Sequence, residues 1–207
     1  MKICIFGGSG KTGLEIVKQA IERGYSVVAS DLSTNSSFPS NSKFTFVSGS
    51  VLDHRVAEKT LHGCNAVISE LGVGIGDKNP IVSEGNEVII SSMKKLGIKR
   101  FVTQSAFGAN ESWKPLPAYL KVAHKVLLNP MSKDKDKMED IVKNSNLDWT
   151  IVRPIRLTNG GAQHTYQFGT DIKFGYNPSV SRADVADFIL NELEHNEFIH
   201  KAVTITN

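Results

Sequence analysis

Short apolar runs alternate with amphipathic segments along nearly the whole of this 207-residue chain. The runs have the length and composition of buried strands and stand at 3–6, 26–30, 44–47, 66–69, 100–103, 149–152 and 202–206. The segments with helical spacing of apolar residues stand at 10–23, 56–61, 81–96, 135–145 and 182–192. Strands that alternate with helices indicate parallel pairing with helices on both faces. We therefore predict an α/β fold, a Rossmann-type doubly wound parallel β-sheet in a single domain that spans 1–207.

The length and charge of the chain narrow the classes of protein that it fits. A chain of 207 residues favours one domain, and a net charge of +3 is too small to indicate a nucleic acid or membrane partner. No stretch approaches the roughly 18 apolar residues that a membrane helix needs. Cys4 and Cys64 each lie beside a predicted buried strand and lack metal-ligand spacing. We expect a cytoplasmic protein with a small-molecule substrate and no metal, and leave its oligomeric state open.

A glycine-rich turn follows the first predicted strand. Gly7, Gly10 and Gly13 form a G-x-x-G-x-x-G pattern that leaves a strand and opens a helix. Gly7 lets the chain turn sharply, Gly10 lets the backbone approach a pyrophosphate, and Gly13 lets the helix pack close to the sheet. Phosphates at this point meet free N–H groups at the positive end of the helix. In this context the pattern predicts a dinucleotide site.

One acidic residue bears on which dinucleotide is bound. Asp31 falls just after the second predicted strand. A carboxylate at that point accepts the hydroxyls of the adenosine ribose and repels a 2′-phosphate, which favours NAD over NADP. Lys11, inside the turn, has the opposite charge and could pair with a phosphate. We expect NAD, with NADP as the open alternative.

Several segments resemble one family of dinucleotide-binding enzymes. They are the turn with Asp31, the VTQSA run at 102–106, the WTIVRP run at 149–154 and the SRADVA run at 181–186. These segments extend over nearly the whole chain and resemble the atypical short-chain dehydrogenases, most of all the NmrA-like group that includes biliverdin-IXβ/flavin reductase. The last two runs are the more specific, because many dinucleotide folds share the turn.

The resemblance implies roles for residues at the carboxyl ends of the strands, where open α/β sheets bind ligands. The residues that would hold the pyrophosphate are Gly7, Gly10, Lys11, Thr12 and Gly13. Those that would contact the adenosine are Asp31, Leu32, Ser50 and Val51. Those that would pass beside the cofactor or border the nicotinamide are Leu71, Gly72, Pro154 and Ile155. Ser105, at the end of the fifth strand, would be the active-site serine.

The chain departs from this family at the usual proton donor. Ordinary members carry Tyr-x-x-x-Lys, in which the tyrosine donates a proton and the lysine lowers its pKa. Lys135 matches the lysine, but Met131 stands at the tyrosine position and has no proton to donate. Tyr119 does not restore the motif, because Ala123 and not a lysine follows it four residues later. The catalytic residues that we expect are therefore Ser105 and Lys135.

Three functions fit these observations. The leading one is an NAD(P)-dependent reductase of a small planar acceptor, such as a flavin or a quinone-like compound, which can take its proton from solvent. The long, irregular segment 107–133 is predicted to be its substrate loop. The alternative is a non-catalytic NmrA-like dinucleotide sensor, which Met131 would suit. An NAD-dependent epimerase or dehydratase ranks last, since only about 50 residues follow Pro154.

Overall fold

The computed structural model of the chain describes residues 1–74, 79–113, 129–172 and 177–207. The helices in these ranges are α1 (Lys11–Glu22), α2 (His54–Leu61), α3 (Ile81–Leu96), α4 (Asn129–Lys143) and α5 (Arg182–His195), with a 3-10 helix at Asn110–Trp113. The strands are β1 (Lys2–Phe6), β2 (Ser26–Asp31), β3 (Phe44–Ser48), β4 (Ala66–Ser69), β5 (Arg100–Gln104), β6 (Asp148–Pro154), β7 (Arg156–Thr158), β8 (Gln167–Gly169), β9 (Ser179–Ser181) and β10 (Lys201–Thr206). Every strand and helix predicted from periodicity is present.

The main sheet has the strand order β3-β2-β1-β4-β5-β6-β10-β8. Its neighbouring strands pair in parallel, except that β8 runs antiparallel to β10. The chain begins near the middle with β1, moves outward to β3, and then returns to the other side of β1 with β4. Such a reversal leaves a crevice at the carboxyl ends of the two strands, where sheets of this kind bind ligands. The predicted Rossmann-type fold is confirmed.

Side chains of β1 divide between two layers of core, because successive residues of a strand point to opposite faces. Ile3 and Ile5 pack with α1 and α5 in one layer, whereas Cys4 and Phe6 pack with α2, α3 and α4 in the other. All four side chains are buried. Burial on both faces explains why the strand is a continuous apolar run and not an alternating one.

The three shortest strands were not predicted. β7, β8 and β9 have three residues each, which is too few to show a period of two. β7 and β9 pair with each other in a small second sheet, and β8 forms the edge of the main one. The predicted strands pair in parallel, and the antiparallel β8 is an addition at the edge of the sheet.

The segment 107–133, which we predicted to be irregular, is helical near both of its ends, and its role as a substrate loop stays a prediction. Asn110–Trp113 forms a 3-10 helix, and α4 begins at Asn129 and not at 135. Residues 114–128, with Tyr119 and Ala123, lie outside the described residues. Lys135 consequently stands on the second turn of a regular helix, whose packing against α3 and the sheet determines its position.

Candidate functional site

A cleft of about 780 Å³ lies at the carboxyl ends of β1, β2 and β4, where the strand order reverses. Most of the residues that the sequence nominates contribute to its walls. Those that do are Gly7, Gly10, Lys11, Thr12, Gly13, Asp31, Leu32, Ser50, Val51, Leu71, Gly72 and Lys135. Side chains from four separate strand ends and two helices are therefore brought to one cavity.

The three glycines of the G-x-x-G-x-x-G pattern are required for different reasons. A Cβ on Gly7 would lie 2.5 Å from the carbonyl oxygen of Glu70, and one on Gly13 would lie 2.3 Å from the carbonyl oxygen of Gly7. Both contacts are impossible, so the fold itself demands these two glycines. A Cβ on Gly10 would meet only the Gly7 oxygen, at 3.2 Å, and the residue lines the cleft. The space in front of Gly10 is thus left for a ligand.

The N-terminus of α1 presents hydrogen-bond donors to the same space. Leu14 makes the first bond of the helix, its N–H donating to the Gly10 oxygen at 2.8 Å. The N–H groups of Lys11, Thr12 and Gly13 precede that bond and so have no partner within the helix. The first turn of α1, as the structure describes it, contains no acidic residue that would compete for them. A glycine with open space before it, free N–H groups and the positive end of the helix dipole together fit a pyrophosphate.

Asp31 is held against the glycine turn at the end of β2. Its carboxylate accepts hydrogen bonds from the N–H of Ser9 at 3.2 Å, from the Ser9 hydroxyl, and from the N–H of Leu32 at 2.8 Å. These bonds fix the orientation of the carboxylate at the rim of the cleft. Leu32 is 72% exposed and Leu52 is 41% exposed beside it, which provides apolar surface suited to a flat base.

Lys135 and Ser105 meet at the other end of the cleft. The Lys135 Nζ donates to the carbonyl oxygen of Ser105 at 2.9 Å. The Ser105 side chain is buried, with 1% exposure, and is not one of the described residues that line the cavity. Burial raises the pKa of Glu139, but its ion pair with Arg153 holds that pKa below its ordinary value. The hydroxyl of Ser105 is buried and has no hydrogen-bond partner among the described residues.

Pro154 and Ile155 also lie away from the walls formed by the described residues. Pro154 is buried at the end of β6, and its carbonyl oxygen accepts from the N–H of Phe107 at 3.0 Å. Ile155 is half-buried and donates its N–H to Ile205 at 3.3 Å. Leu157, two residues further on, reaches the cleft in their place. The expected nicotinamide contacts of Pro154 and Ile155 stay a prediction.

Two polar residues of the cleft were missed by sequence reasoning. Glu70 follows β4 and Gln104 ends β5, so both stand at carboxyl ends of central strands. Both carboxylate oxygens of Glu70 and the Oε1 of Gln104 are buried and have no hydrogen-bond partner among the residues described. Burial raises the pKa of Glu70 to about 8, although Lys135 pulls it down. A charged residue directly after a four-residue apolar strand was the signal that could have revealed Glu70.

Neither a metal cluster nor a membrane helix is found in the described ranges. Within them, no group of three or more His, Cys, Asp or Glu side chains could hold a metal ion. No described helix is long and apolar enough to cross a membrane.

Comparison with known proteins agrees with this geometry. A family model described as "NAD(P)H-binding" matches residues 7–196. Protein YwnB of Bacillus subtilis, which is uncharacterised, is 26% identical over 215 residues, covering 100% of this chain and 99% of its own. The photosystem II assembly factor Ycf39 of Synechocystis is 26% identical over 219 residues, covering 99% of this chain and 62% of its own.

Solved structures share the fold at low sequence identity. The oxidoreductase YlbE of Lactococcus lactis superposes with a TM-score of 0.85 at 23% identity, covering 100% of this chain and 91% of its own. ChuY of Escherichia coli O157:H7, described as an anaerobillin reductase, has a TM-score of 0.81 at 21% identity, with coverages of 99% and 96%. A Veillonella parvula short-chain dehydrogenase/reductase in complex with NADP has a TM-score of 0.84 at 16% identity, with coverages of 100% and 94%. At these identities the likeness concerns the fold alone.

Proposed function

We propose, from the premise that this chain belongs to the NAD(P)H-binding family, that it is a reductase of a small planar conjugated acceptor such as a flavin or a quinone-like compound. The observation that carries the proposal is the cleft that joins the glycine turn to a buried polar end at Glu70, Gln104 and Lys135. A dinucleotide laid along it, with its pyrophosphate at Gly10, would bring the nicotinamide to that polar end. The cofactor supplies the hydride when bound.

In this proposal, different residues of the chain bind different parts of the dinucleotide. Gly10 and the first N–H groups of α1 hold the pyrophosphate, and Asp31 accepts the ribose hydroxyls. The wall that would flank the adenosine consists of Leu32, Ser50 and Val51. The wall that would flank the nicotinamide is expected to include Leu71, Gly72, Pro154 and Ile155. Lys135 would orient the polar end of the site through its bond to Ser105.

A planar conjugated acceptor suits this site better than a simple carbonyl compound. Met131 stands where a tyrosine would protonate an alkoxide, and a thioether has no proton to give. A flavin or quinone spreads the charge that arrives with a hydride over its ring system, so its protonation does not depend on a tyrosine at that one position. The description of ChuY as an anaerobillin reductase supports an acceptor of this planar kind.

The test is oxidation of NADH and NADPH by the purified protein with a panel of free flavins, quinones and linear tetrapyrroles. We expect turnover with at least one of them, and only a small loss in Ser105→Ala. One neutral hydrogen bond contributes about 0.5–1.5 kcal/mol, which corresponds to a roughly threefold to tenfold lower kcat/KM. A loss of thousands-fold in Ser105→Ala would make the serine the central catalytic group and contradict the role given to it here.

A dinucleotide sensor is the second candidate. It is favoured by Met131 at the proton-donor position and by the similarity to Ycf39, which is described as an assembly factor. The same assay separates the two functions. Tight dinucleotide binding without turnover of any acceptor would support the sensor and overturn the reductase.

A further inference from the structure

Glu70 brings to the cleft a buried carboxyl group that no contact in the described structure explains. Its backbone N–H donates to the Phe6 oxygen at 2.9 Å, which fixes the residue directly beside the glycine turn. Its side chain lines the cleft, yet both carboxylate oxygens are buried and lack a hydrogen-bond donor in the described ranges. An ionised carboxylate in such surroundings is strongly disfavoured. The arrangement is unsuited to an ion pair and well suited to a neutral carboxylic acid.

The nearest cation does not neutralise Glu70 by direct contact. The Lys135 Nζ is committed to the Ser105 carbonyl at 2.9 Å, and in the described part of the chain no ion pair within 4 Å joins it to Glu70. The positive charge of Lys135 lowers the pKa of Glu70, but burial raises it by more, so that this pKa is about 8. Glu70 is therefore mostly protonated at neutral pH, yet has a cation close enough to stabilise the carboxylate once the proton has left.

Other charged groups face the cleft from each neighbouring element. They are Lys11 of α1, Asp31 of β2, Glu84 of α3, Asp134 of α4 and Arg182 of α5. Asp31, Asp134 and Arg182 are engaged in hydrogen bonds to other residues. Lys11 and Glu84 are exposed to solvent. Among the charged residues described around the cleft, Lys135 is the one whose charge acts on Glu70.

We propose that Glu70 is the proton donor of this reductase, an inference that rests on the proposed function. A bound NAD(P)H would supply a hydride to the acceptor, and the O–H bond of Glu70 would break as the hydride arrives. The proton bonds to a heteroatom of the acceptor. The two electrons that reduce the acceptor would come from the bound NAD(P)H. The carboxylate that remains beside Lys135 takes a proton from water before the next turnover.

With this assignment, Glu70 supplies the proton that Met131, at the position of the family's tyrosine, cannot donate. A tyrosine at that position would stand on α4, whereas Glu70 enters the cleft from β4, beside the turn that binds the cofactor. Lys135 would keep part of its family role, since it stabilises the anion that remains after proton transfer. The motif is thus replaced by an acid from another element, which a search for Tyr-x-x-x-Lys does not find.

The protonation state of Glu70 can be measured without any turnover. In protein labelled with ¹³C at the glutamate side-chain carboxyls, we expect one resonance to titrate near pH 8 and to be missing in Glu70→Gln. The matched control is Glu87→Gln, an exposed residue of α3 away from the cleft, which should leave that resonance in place. A Glu70 resonance that is already ionised at pH 6 would overturn the proposal.

The pH dependence of unfolding provides a second readout that needs no ligand. The pKa of Glu70 is raised from 4.5 in the unfolded chain to about 8 in the fold, so between these values the native state holds a proton that the unfolded state has released. Stability from this group is therefore lost as the pH rises toward 8. We expect the urea midpoint of wild type to fall relative to that of Glu70→Gln from pH 5 to 8. Parallel curves for the two proteins would contradict the raised pKa.

The catalytic role is tested on an acceptor that turns over. We expect Glu70→Gln to lower kcat/KM by about 10²–10⁴-fold, as for loss of a general acid, and to remove the decline in rate above pH 8. The affinity for NAD(P)H should stay the same, Glu70→Asp should restore part of the rate, and Glu87→Gln should match wild type. If the kcat/KM of Glu70→Gln stays within threefold of the wild-type value, Glu70 is not the proton donor. The proposal that the protein is a reductase would then still hold. A wild type that reduces no acceptor would overturn both.

Discussion

The glycines of the G-x-x-G-x-x-G pattern are regularly spaced, but they are required for different structural reasons. A Cβ at Gly7 or Gly13 would meet protein atoms at 2.5 or 2.3 Å, whereas Gly10 faces the open cleft. The backbone of Gly10, with φ −67° and ψ 164°, is also one that any residue adopts. The outer two positions are therefore required by the fold, whereas the middle one leaves space in the cleft where we propose that the ligand binds.

We expect Gly10→Val to abolish dinucleotide binding while the protein stays folded. The valine side chain would occupy the space through which the pyrophosphate approaches the backbone. Gly13→Ala is the contrasting variant, because its methyl group overlaps the Gly7 oxygen and should cost about 1–3 kcal/mol of stability. Calorimetric titration with NADH and urea unfolding measure the two effects. Normal affinity in folded Gly10→Val would remove this turn from the binding site.

The glycine turn could be located from sequence because its signal is local. Seven residues in a row contain the whole pattern, and the strand and helix beside it are strongly periodic. The state of Glu70 depends instead on α4, which begins almost 60 residues later and brings Lys135 to the same cleft. The residues next to Glu70 in the sequence do not reveal burial that depends on such a distant helix. This acid was therefore not found from the sequence.

At the scale of elements, α4 positions the polar end of the cleft. Its Asp134 carboxylate accepts the N–H groups of Val82 and Ser83, each at 3.0 Å, and so caps the N-terminus of α3. The next residue, Lys135, reaches the Ser105 carbonyl. One turn of α4 thereby joins α3 to the end of β5.

The sequence suggested a later start for α4, at 135. The run from Lys133 to Lys137 alternates Lys and Asp, a pattern typical of a solvated helix start. In the fold, Asp134 can be buried because its carboxylate accepts hydrogen bonds from two N–H groups of α3. A long-range cap of this sort is decided by tertiary packing, which explains why the helix boundary could not be read from composition.

Asp134→Ala should destabilise the protein by about 1–3 kcal/mol, because two N–H groups at the start of α3 lose their acceptor inside the protein. Glu87→Ala, on the exposed face of the same helix, should change stability by less than about 0.5 kcal/mol. Urea unfolding of both variants and wild type gives the comparison. Equal midpoints for Asp134→Ala and Glu87→Ala would mean that the cap contributes nothing.

At the scale of the whole molecule, cofactor binding and folding are linked. A ligand that binds only the native state at 100 times its Kd adds about 2.7 kcal/mol of stability. For a chain of this size that is a rise in Tm of roughly 5–10 °C. The rise reports affinity and therefore ranks the two dinucleotides.

NADH should raise the Tm more than NADPH at the same concentration, since the fixed carboxylate of Asp31 repels a 2′-phosphate. Asp31→Ala should narrow or reverse that difference. Each shift is taken relative to the same variant without ligand, because Asp31 also bonds to Ser9 and Leu32 in the protein itself. A larger rise with NADPH in wild type would show that Lys11 outweighs Asp31.

The antiparallel strand β8 has a consequence for how copies of this protein meet. The free edge of a long strand offers unpaired backbone groups that recruit strands from other molecules, a common route to aggregation. β8 pairs with Thr204, Ile205 and Thr206 of β10 and is itself only three residues long. It therefore covers three of the six residues of β10, and the edge that it presents is too short to hold an incoming chain firmly. A short strand at this edge thus makes edge-to-edge pairing between copies of the protein less favourable than a fully open β10 would.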